Sequence, residues 1–478
     1  ADINTLDLQK QQDQINNIIL KNTHQTLVFF TNGADGEERF VPCLATDWEV
    51  KDDTHIVMHL RDDVYFNDGN KTPMTAEDVK FTLDMAMENM VASNLAGYVA
   101  CNVVDDHTIE IEIESYNNEF VQTLASVPLS IQSKKAYDDG VTDPFYIGTG
   151  PYKFDEWVEG EYCRIVKVAD YWGNDIPAGE NLAPGVSDAI EFRPYIEASS
   201  RVIALQSGEI DVCVNPPINE LQYLEEDKNI TVFEQPGTRL FYFAFNVEKA
   251  PWDNQKLRQA VACAIDRDAV LEAAVYGKGT LQKTILNRGL WGFYDDMEGF
   301  NYDVDRAKAL MAEAGYPDGA GFPTISYTIN NSSAHAAIAE YVQNVWKEVL
   351  GVDCTIDSQE FAVFLDMRTA GDYSLARAGW TVDYMDPASL MELWITSSGN
   401  NDCHFYNEEY DSYISAAAHA TSQNERFENF HKAEKILEEQ LPIIPIYYYS
   451  EPYLMDTSKY DGFFSYLAMP VFKYVVQK

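Results

Sequence analysis

EASSRVIALQSGEIDVCV, Glu197–Val214, predicts a helix that ends at a glycine and leads directly into a strand. Apolar residues recur at helical spacing up to Gly208, and IDVCV then has the apolar run of a buried strand. The same step recurs in KEVLGVDCTI, where Gly351 ends the helix. Alternating helices and strands are typical of layered α/β domains, so the sequence predicts an α/β fold of two related lobes.

Other segments show the hydrophobic periodicity of the strands and helices expected in an α/β fold. HTIEIEIES alternates isoleucine with glutamate, which is typical of a half-buried strand. In TAEDV, Thr75 is a helix cap with acids in the first turn, ahead of apolar residues at helical spacing. Apolar stripes predict two more helices, at 334–350 and 425–441. We interpret these stripes as core faces.

Bulk composition narrows the class of protein. The 478 residues have room for two or three domains, since single cores rarely exceed roughly 250 to 300 residues. A net charge of −43 should repel phosphate and anionic lipid, which argues against nucleic-acid and peripheral membrane binding. No apolar run reaches the roughly 18 to 20 residues of a membrane span. The sequence begins at ADINTLDL, so we expect any targeting segment to have been removed or to lie outside it.

Cysteines and histidines show no metal-binding pattern. The seven cysteines are widely separated, without CxxC spacing, and most have apolar neighbours, as in IDVCV and AVACAI. We expect most of them to be free core thiols. In HIVMHL, His55 and His59 share a strand face, but further ligands are not evident nearby. The sequence therefore predicts no metal site.

Catalytic motifs are incomplete. GKGT lacks the upstream glycine of a phosphate-binding loop, GTGPY lacks the third glycine of a dinucleotide fingerprint, and GxSxG and HExxH do not occur. Carboxylates are so abundant that a pair such as Asp383 and Asp386 is weak support for glycosidase chemistry. We predict a protein that is not an enzyme, with no catalytic residue and no cofactor.

Six segments in order along the chain resemble the peptide and nickel class, family 5, of bacterial extracellular solute-binding proteins. Their closest match in motif is to the oligopeptide-binding proteins of ABC importers. The segments are LATDWEV, FNDGNKTPMTAEDVKFTLD, GTGPYKFDEW, LQSGEIDV, FNVEKAPWDNQKLRQAVACAIDRDAV and RAKALMAEAGYPDGAGF. Most of these strings have structural roles, so they identify a fold more than a ligand.

The resemblance implies a periplasmic-binding-protein-like fold of type II, in the large cluster with an extra inserted domain. Its two lobes are joined by a two-segment hinge and close around a ligand. The implied boundaries are 1–26, 150–241 and 463–478 for the first lobe, 27–149 for the inserted domain and 242–462 for the second lobe.

The segment RAGWTVDY resembles the part of oligopeptide receptors whose aspartate pairs with the α-amino group of a peptide. Asp383 has that position here, beside Tyr384. In a closed cleft a carboxylate gains a charge-assisted hydrogen bond to an ammonium that most peptides carry. Trp380 would supply an apolar wall, and the backbone of Thr381 and Val382 could bond the peptide main chain as an added strand does. The alternative interpretation of Asp383 is a surface acid or a capping group.

The carboxylate end of a peptide requires cations. By resemblance, Arg368, Arg377 and His335 stand where oligopeptide receptors hold groups that meet ligand carboxyl ends. In so acidic a chain each arginine can instead pair with a neighbouring acid, and His335 can be a surface residue.

Weaker contacts are expected at Asn215, at Gly237 in a hinge turn PGTR, and near Gln12. The chain also departs from the family pattern: Leu8 replaces a usual proline, the strand that usually precedes it is missing, and Thr381 replaces a cysteine of some receptors, so no disulfide is expected there.

The leading hypothesis is a monomer that captures short peptides and hands them to the transmembrane subunits of an ABC permease. It would act on the extracellular face of the membrane, anchored by lipid, or in the periplasm. Two alternatives stay open: the same fold binding an oligosaccharide or a metal chelate, and a secreted hydrolase with paired carboxylates.

Overall fold

The computed structural model describes the chain except residues 1–2, 4, 11–13, 33–37, 96, 117, 178–179, 181, 287–291, 383–385, 421 and 467–468. The predicted contacts Gln12, Asp383 and Tyr384 lie outside the described residues. The chain divides into two compact units. The first comprises Ala1–Pro217, Leu221–Phe233 and Tyr453–Lys478, and the second comprises Ile218–Glu220 and Glu234–Pro452. The three-part boundaries implied by the resemblance stay a prediction.

The first unit contains helix α1 (Gln14–Thr23) and several small antiparallel sheets. Strands β1 (Val28–Asn32) and β2 (Glu38–Pro42) pair with each other. One sheet has the order β3-β4-β6-β5, formed by β3 (Ala45–Asp52), β4 (His55–Leu60), β5 (Tyr98–Asp105) and β6 (Thr108–Ile113). Another consists, in order, of β7 (Tyr152–Val158), β8 (Tyr162–Lys167) and β9 (Ala189–Phe192). The accompanying elements are α2 (Ala76–Met87), α3 (Asn118–Thr123), α4 (Lys134–Asp138), α5 (Ala198–Ser207), β10 (Val212–Val214) and α6 (Leu221–Leu224).

Strand β11 (Ile230–Phe245) carries the chain from the first unit into the second. The helices of the second unit are α7 (Gln255–Cys263), α8 (Arg267–Val275), α9 (Val304–Glu313), α10 (Ser333–Leu350), α11 (Phe361–Thr369), α12 (Ala388–Met391), α13 (Glu408–Ala418) and α14 (Gln423–Gln440). Its strands are β12 (Gly279–Leu281), β13 (Ile325–Asn330), β14 (Cys354–Gln359), β15 (Leu375–Thr381) and β16 (Ile443–Asp456), of which the last returns the chain to the first unit.

One sheet has the strand order β10-β16-β11-β15-β13-β14, and β12 also pairs with β16. The pairs of β13 with β14 and with β15 are parallel, whereas β11 and β15 are antiparallel. The chain ends with β17 (Tyr460–Asp461), which pairs with β20 (Val476–Gln477), and β18 (Phe464–Tyr466), which pairs with β19 (Met469–Val471). Short 3₁₀ helices lie at Met90–Leu95, Val127–Leu129, Pro144–Tyr146, Ile218–Glu220, Pro317–Gly319, Glu392–Trp394 and Phe472–Tyr474.

The structure confirms helices and strands that we predicted from sequence patterns. HTIEIEIES forms β6, whose three isoleucines are buried. Thr75 precedes α2, and its backbone N–H donates to the Asp78 carboxylate at 2.8 Å. The two helix-to-strand steps occur as expected, because α5 ends at Gly208 and α10 ends at Gly351, both in the left-handed region with φ of 77° and 69°.

The core of the second unit packs helix α10 against one face of its sheet. The Phe243 ring on β11 lies 5.2 Å from the Tyr327 ring and 6.3 Å from the Trp346 ring, measured between centroids. These three side chains are buried. This face therefore anchors β11, β13 and α10 to one another, and it continues along β11 toward Arg239 because alternate residues of a strand share a face.

The prediction of a turn at PGTR is wrong. These residues lie inside β11, which runs without interruption from Ile230 to Phe245. Gly237 is needed for close packing there, since a Cβ atom at this position would lie 2.1 Å from the Tyr449 carbonyl oxygen. A proline–glycine pair usually signals a turn, but here the glycine allows two strands to approach closely.

All seven cysteines are buried and free, which confirms the prediction of core thiols. His55 and His59 bond the carboxylates of Asp52 and Asp47, at 2.8 and 2.6 Å. Across the described ranges, no helix has the length and apolar character needed to span a bilayer.

Candidate ligand-binding site

The predicted strand in RAGWT is confirmed as β15, and its register with β11 determines which side chains share a face. Arg239 lies opposite Thr381, Leu240 opposite Trp380 and Phe243 opposite Arg377. Directly opposed residues of antiparallel strands project to the same side. Arg239, Arg377 and Thr381 therefore share the face that carries the Phe243 core contact.

Strand β15 has an open edge beyond its first residues. The Val382 N–H donates to the Thr238 carbonyl at 3.0 Å, so this backbone position faces β11. Backbone groups alternate in direction along a strand, which turns those of Gly379 and Thr381 away from β11. On that side, the described pairing with β13 includes only Leu375 and Ala376. Among the described residues nothing pairs with the Thr381 backbone on this side, so it is open to an added strand, whereas the Val382 N–H, which we expected to bond a ligand, is already engaged.

Arg377 is a half-buried cation with an unmet hydrogen-bond donor. Its guanidinium stacks on the Phe364 ring of α11, with 4.8 Å from Cζ to the ring centroid. The Nε atom is buried and has no hydrogen-bond partner. Burial lowers the pKa of Arg377, and the nearby charges of Arg368 and Arg239 act in the same direction. Within the described ranges no carboxylate lies within 4.0 Å of this guanidinium. Such an environment favours an incoming anion.

His335 lies in the first turn of α10 and is neutral near pH 7. Burial lowers its pKa to about 4, and the charges of Arg377 and Arg239 contribute. Its Nδ1 atom is 2.8 Å from Oδ1 of Asn330, the last residue of β13. Because an amide oxygen only accepts, Nδ1 carries the proton and Nε2 has a free lone pair. A carboxylate that binds here would therefore have to bring a proton to Nε2.

Arg368 is engaged within the protein. Its Nη2 atom lies 2.6 Å from the Asp402 carboxylate, and the two side chains are 11% and 16% exposed. The predicted alternative for the arginines, an ion pair with a neighbouring acid, thus describes Arg368 well. Of the two arginines, Arg377 is the one without an acid partner among the described residues.

Trp380 projects from the opposite face of β15. It is half-buried, and its indole Nε1 is buried without a hydrogen-bond partner. Thr381 is exposed and Val382 is buried. An indole with a free donor at the end of an open strand edge suits both apolar contact and a hydrogen bond.

Asp386 fixes the chain immediately after residues 383–385. Its side chain is fully buried, and its two oxygens pair with the Arg426 guanidinium, one of them at 2.6 Å. Oδ1 also accepts the Ala388 N–H at 3.0 Å. A carboxylate bound in this way is not free to act as an acid or base, which removes the Asp383 and Asp386 pair as a hydrolytic centre.

Two of the remaining predicted contacts, Asn215 and Gly237, lie in the described part of the chain. Asn215 is exposed at the end of β10 with φ of 52°, and its carbonyl accepts from Arg201 at 2.7 Å. Asn215 also lines a cavity of about 830 Å³ inside the first unit, between β9 and β10. Gly237 packs against Tyr449 as described. In the described part of the chain, no group of three or more His, Cys, Asp or Glu side chains could hold a metal ion.

Sequence reasoning missed Arg239 and its aromatic support. The Arg239 guanidinium lies 3.7 Å from the Tyr449 ring centroid. Tyr449 lies 5.0 Å from Tyr447, which stacks on Phe241 at 5.2 Å. The alternation in RLFYFAF could have placed Arg239 on the face of Phe241 and Phe243, but the partner on β16 was not predictable from local sequence.

An α/β fold with an open strand edge, and arginines beside it that have no acid partner among the described residues, suits a protein that binds a ligand. The family model for "Bacterial extracellular solute-binding proteins, family 5 Middle" matches residues 39–402, and the chain belongs to this family. Heme-binding protein A of Haemophilus influenzae is 30% identical over 457 residues, with 88% of this chain and 81% of the relative covered. The periplasmic oligopeptide-binding protein OppA of Salmonella typhimurium is 29% identical over 452 residues, with 87% and 80% covered.

Solved structures show the same fold. The unliganded open form of MppA, a periplasmic murein tripeptide binding protein, has a TM-score of 0.86 at 25% identity and covers 100% of this chain and 95% of that one. HbpA2 from Haemophilus parasuis has a TM-score of 0.87 at 24% identity, with 99% and 97% covered. The predicted α/β fold class is confirmed by these likenesses.

Proposed function

We propose that this protein captures short peptides outside the cytoplasmic membrane and delivers them unchanged to the transmembrane subunits of an ABC importer. The observation that carries the proposal is the open edge of β15, with Trp380 on one face and the unneutralised Arg377 on the other. An extended peptide added at this edge bonds through its main chain, which suits ligands of many sequences.

For the carboxylate end of the peptide, we propose a position near Arg377. A ligand strand beside Gly379 and Thr381 runs in line with β13, which ends at Asn330 just before α10 begins at Ser333. The amino end of an 18-residue helix favours an anion, and Arg377 adds a donor without a partner. We assign the ligand carboxylate to Arg377, with His335 beside it and Arg368 as a supporting charge.

The amino end is assigned to Asp383, as the resemblance implies. Its carboxylate would pair with the ligand ammonium, with Tyr384 and Trp380 beside the first side chain. The ion pair of Asp386 with Arg426 supports this assignment, because it fixes the chain three residues after Asp383. Thr381, Asn215, Gly237 and Gln12 remain proposed contacts, as does Val382 through groups other than its engaged N–H.

The relatives do not by themselves decide the cargo, since one is named for heme and another for oligopeptides. A sugar would stack on Trp380 and a chelate would use the arginines, but neither would use the open main-chain edge. We further propose that the protein works as a monomer, without cofactor or catalysis, in the periplasm or anchored by lipid to the outer face of the membrane.

The proposal is tested first by denaturing the purified protein and identifying the released small molecules by mass spectrometry. Peptides of a few residues would support it, whereas a sugar, heme or a metal chelate would refute it.

A second test measures the binding of tetra-alanine by titration calorimetry. Asp383→Asn should weaken it by about 2 to 5 kcal/mol, the usual loss when a desolvated charge pair loses one partner. Glu340→Gln is the matched control, since this acid is exposed on α10. Unchanged affinity in Asp383→Asn would reject Asp383 as the amino-group anchor.

A further inference from the structure

Arg239 is a cation that neither the strand pattern nor the family resemblance assigned to the ligand. It stands opposite Thr381, at the end of the open edge, and its guanidinium lies over the Tyr449 ring, with 3.7 Å from Cζ to the ring centroid. The residue is exposed. Among the described residues no carboxylate lies within 4.0 Å of it. Stacking thus holds the guanidinium in place while its hydrogen-bond donors stay available.

Arg239 and Arg377 lie on the same face of the sheet. Arg239 is opposite Thr381, which is four residues from Arg377 on β15, so the two arginines are about 13 Å apart along the strand direction. Burial lowers the pKa of both Arg377 and His335, and the charge of Arg239 lowers both further by a smaller amount. Glu451 is the described carboxyl group on which Arg239 acts: burial raises the pKa of Glu451, and the charge of Arg239 lowers it.

A hydroxyl group on the same face has no hydrogen-bond partner among the described residues. It is the buried OH of Tyr327, and the Nε atom of Arg377 likewise has no described partner. Buried polar groups are normally satisfied, so unmet donors beside two cations point to a ligand that carries acceptors. A single terminal carboxylate can neutralise one of the two arginines.

We propose that this site prefers peptides that carry a second carboxylate, on a side chain that projects toward the face of Arg239 and Arg377. Every second side chain of a ligand strand at the β15 edge lies on this face. Arg239 would bind the acidic side chain while Arg377 binds the terminal carboxylate. This inference rests on the proposed function and narrows its ligand class to acidic short peptides.

The test is a scan of tetra-alanine in which each position in turn is replaced by glutamate or by glutamine, with binding measured by titration calorimetry. At one position the glutamate peptide should bind at least about tenfold more tightly than its glutamine counterpart, as expected for one hydrogen bond between charged groups. In Arg239→Gln this ratio should fall close to one. The control Arg306→Gln removes an exposed arginine stacked on Phe300 and should keep the wild-type ratio.

Two measurements guard against a folding defect. Circular dichroism and thermal melting report whether Arg239→Gln is folded.

In the wild-type protein the glutamate preference should shrink between roughly 0.01 and 1 M salt, since the interaction is partly exposed.

The outcomes separate the two proposals. If the peptides bind but glutamate and glutamine are equal at every position, or if Arg239→Gln keeps the preference, the inference is overturned and the proposed function stands. If neither tetra-alanine nor any scanned peptide binds, both fail.

Discussion

Replacing Glu434 with glutamine should remove a pH-dependent loss of stability from the second unit. Glu434 lies on α14 with 1% of its surface exposed. One of its carboxylate oxygens accepts the backbone N–H groups of Ile285, at 3.1 Å, and Leu286, at 3.0 Å. Burial nevertheless outweighs these hydrogen bonds and raises the pKa of Glu434 from 4.5 to about 7.

The direction of the effect follows from proton binding. The folded protein holds the Glu434 proton more tightly than the unfolded chain does, so folding is favoured at low pH. Stability should therefore be complete below pH 4.5 and should fall as the pH rises through about 7. A pKa difference of this size corresponds to about 3 kcal/mol in the free energy of unfolding.

Differential scanning calorimetry at pH 5 and pH 8 measures this change. Because the two units can unfold separately, the transition of the second unit should be followed by itself. For a domain of its size, about 3 kcal/mol corresponds to a shift of roughly 6 to 12 °C in melting temperature. Glu434→Gln should lose this part of the pH dependence.

The comparison needs a control because other acids also titrate in this range. Glu340→Gln removes an exposed charge from α10 of the same unit and should keep the wild-type pH dependence. Parallel curves for the wild type and Glu434→Gln would refute the argument, since Glu434 would then titrate as an ordinary glutamate.

Two further predictions concern the ligand-binding unit. Arg426→Met leaves the buried Asp386 carboxylate without its partner and should destabilise the protein by about 3 to 5 kcal/mol in urea unfolding, whereas the double variant Asp386→Leu/Arg426→Met should recover most of this loss. A single-variant effect below about 1 kcal/mol would contradict the buried ion pair. A peptide carboxylate beside His335 should raise its pKa from about 4, so binding should take up a proton and strengthen as the pH falls toward that value. Calorimetry of tetra-alanine in buffers of different ionisation enthalpy measures this uptake, and equal heats in all buffers, or the same uptake in His335→Gln, would show that another group is responsible.

Local sequence was sufficient for the helices and strands that we predicted from it. The isoleucine and glutamate alternation of β6, the acids in the first turn of α2 and the glycines that end α5 and α10 each act within a few residues. Such signals depend on backbone geometry and on period, both of which are properties of the chain itself. Six segments in order were also sufficient to identify the family, because together they specify one arrangement of elements.

Long-range pairing overrode local sequence at PGTR. A proline followed by glycine favours a turn, yet the backbone of β11 stays extended because β16 packs against it so closely that only glycine fits beside the Tyr449 carbonyl. The described pairing of β11 with β15 begins at Arg239, so Pro236 lies outside the paired residues. Nothing within the segment indicates which strand will lie beside it.

By itself, the sequence determined the α/β class, the family and the position of RAGWT on a strand. Only the tertiary structure decided which charged groups are paired: Arg368 pairs with Asp402 and Arg426 with Asp386, whereas no described carboxylate lies within 4.0 Å of Arg377 or Arg239. The physical reason is that the charge state and partners of a side chain depend on burial and on residues distant in the chain, which periodicity does not encode. The open edge of β15 likewise arises because β13 ends before β15 does, and no local signal records that difference in register.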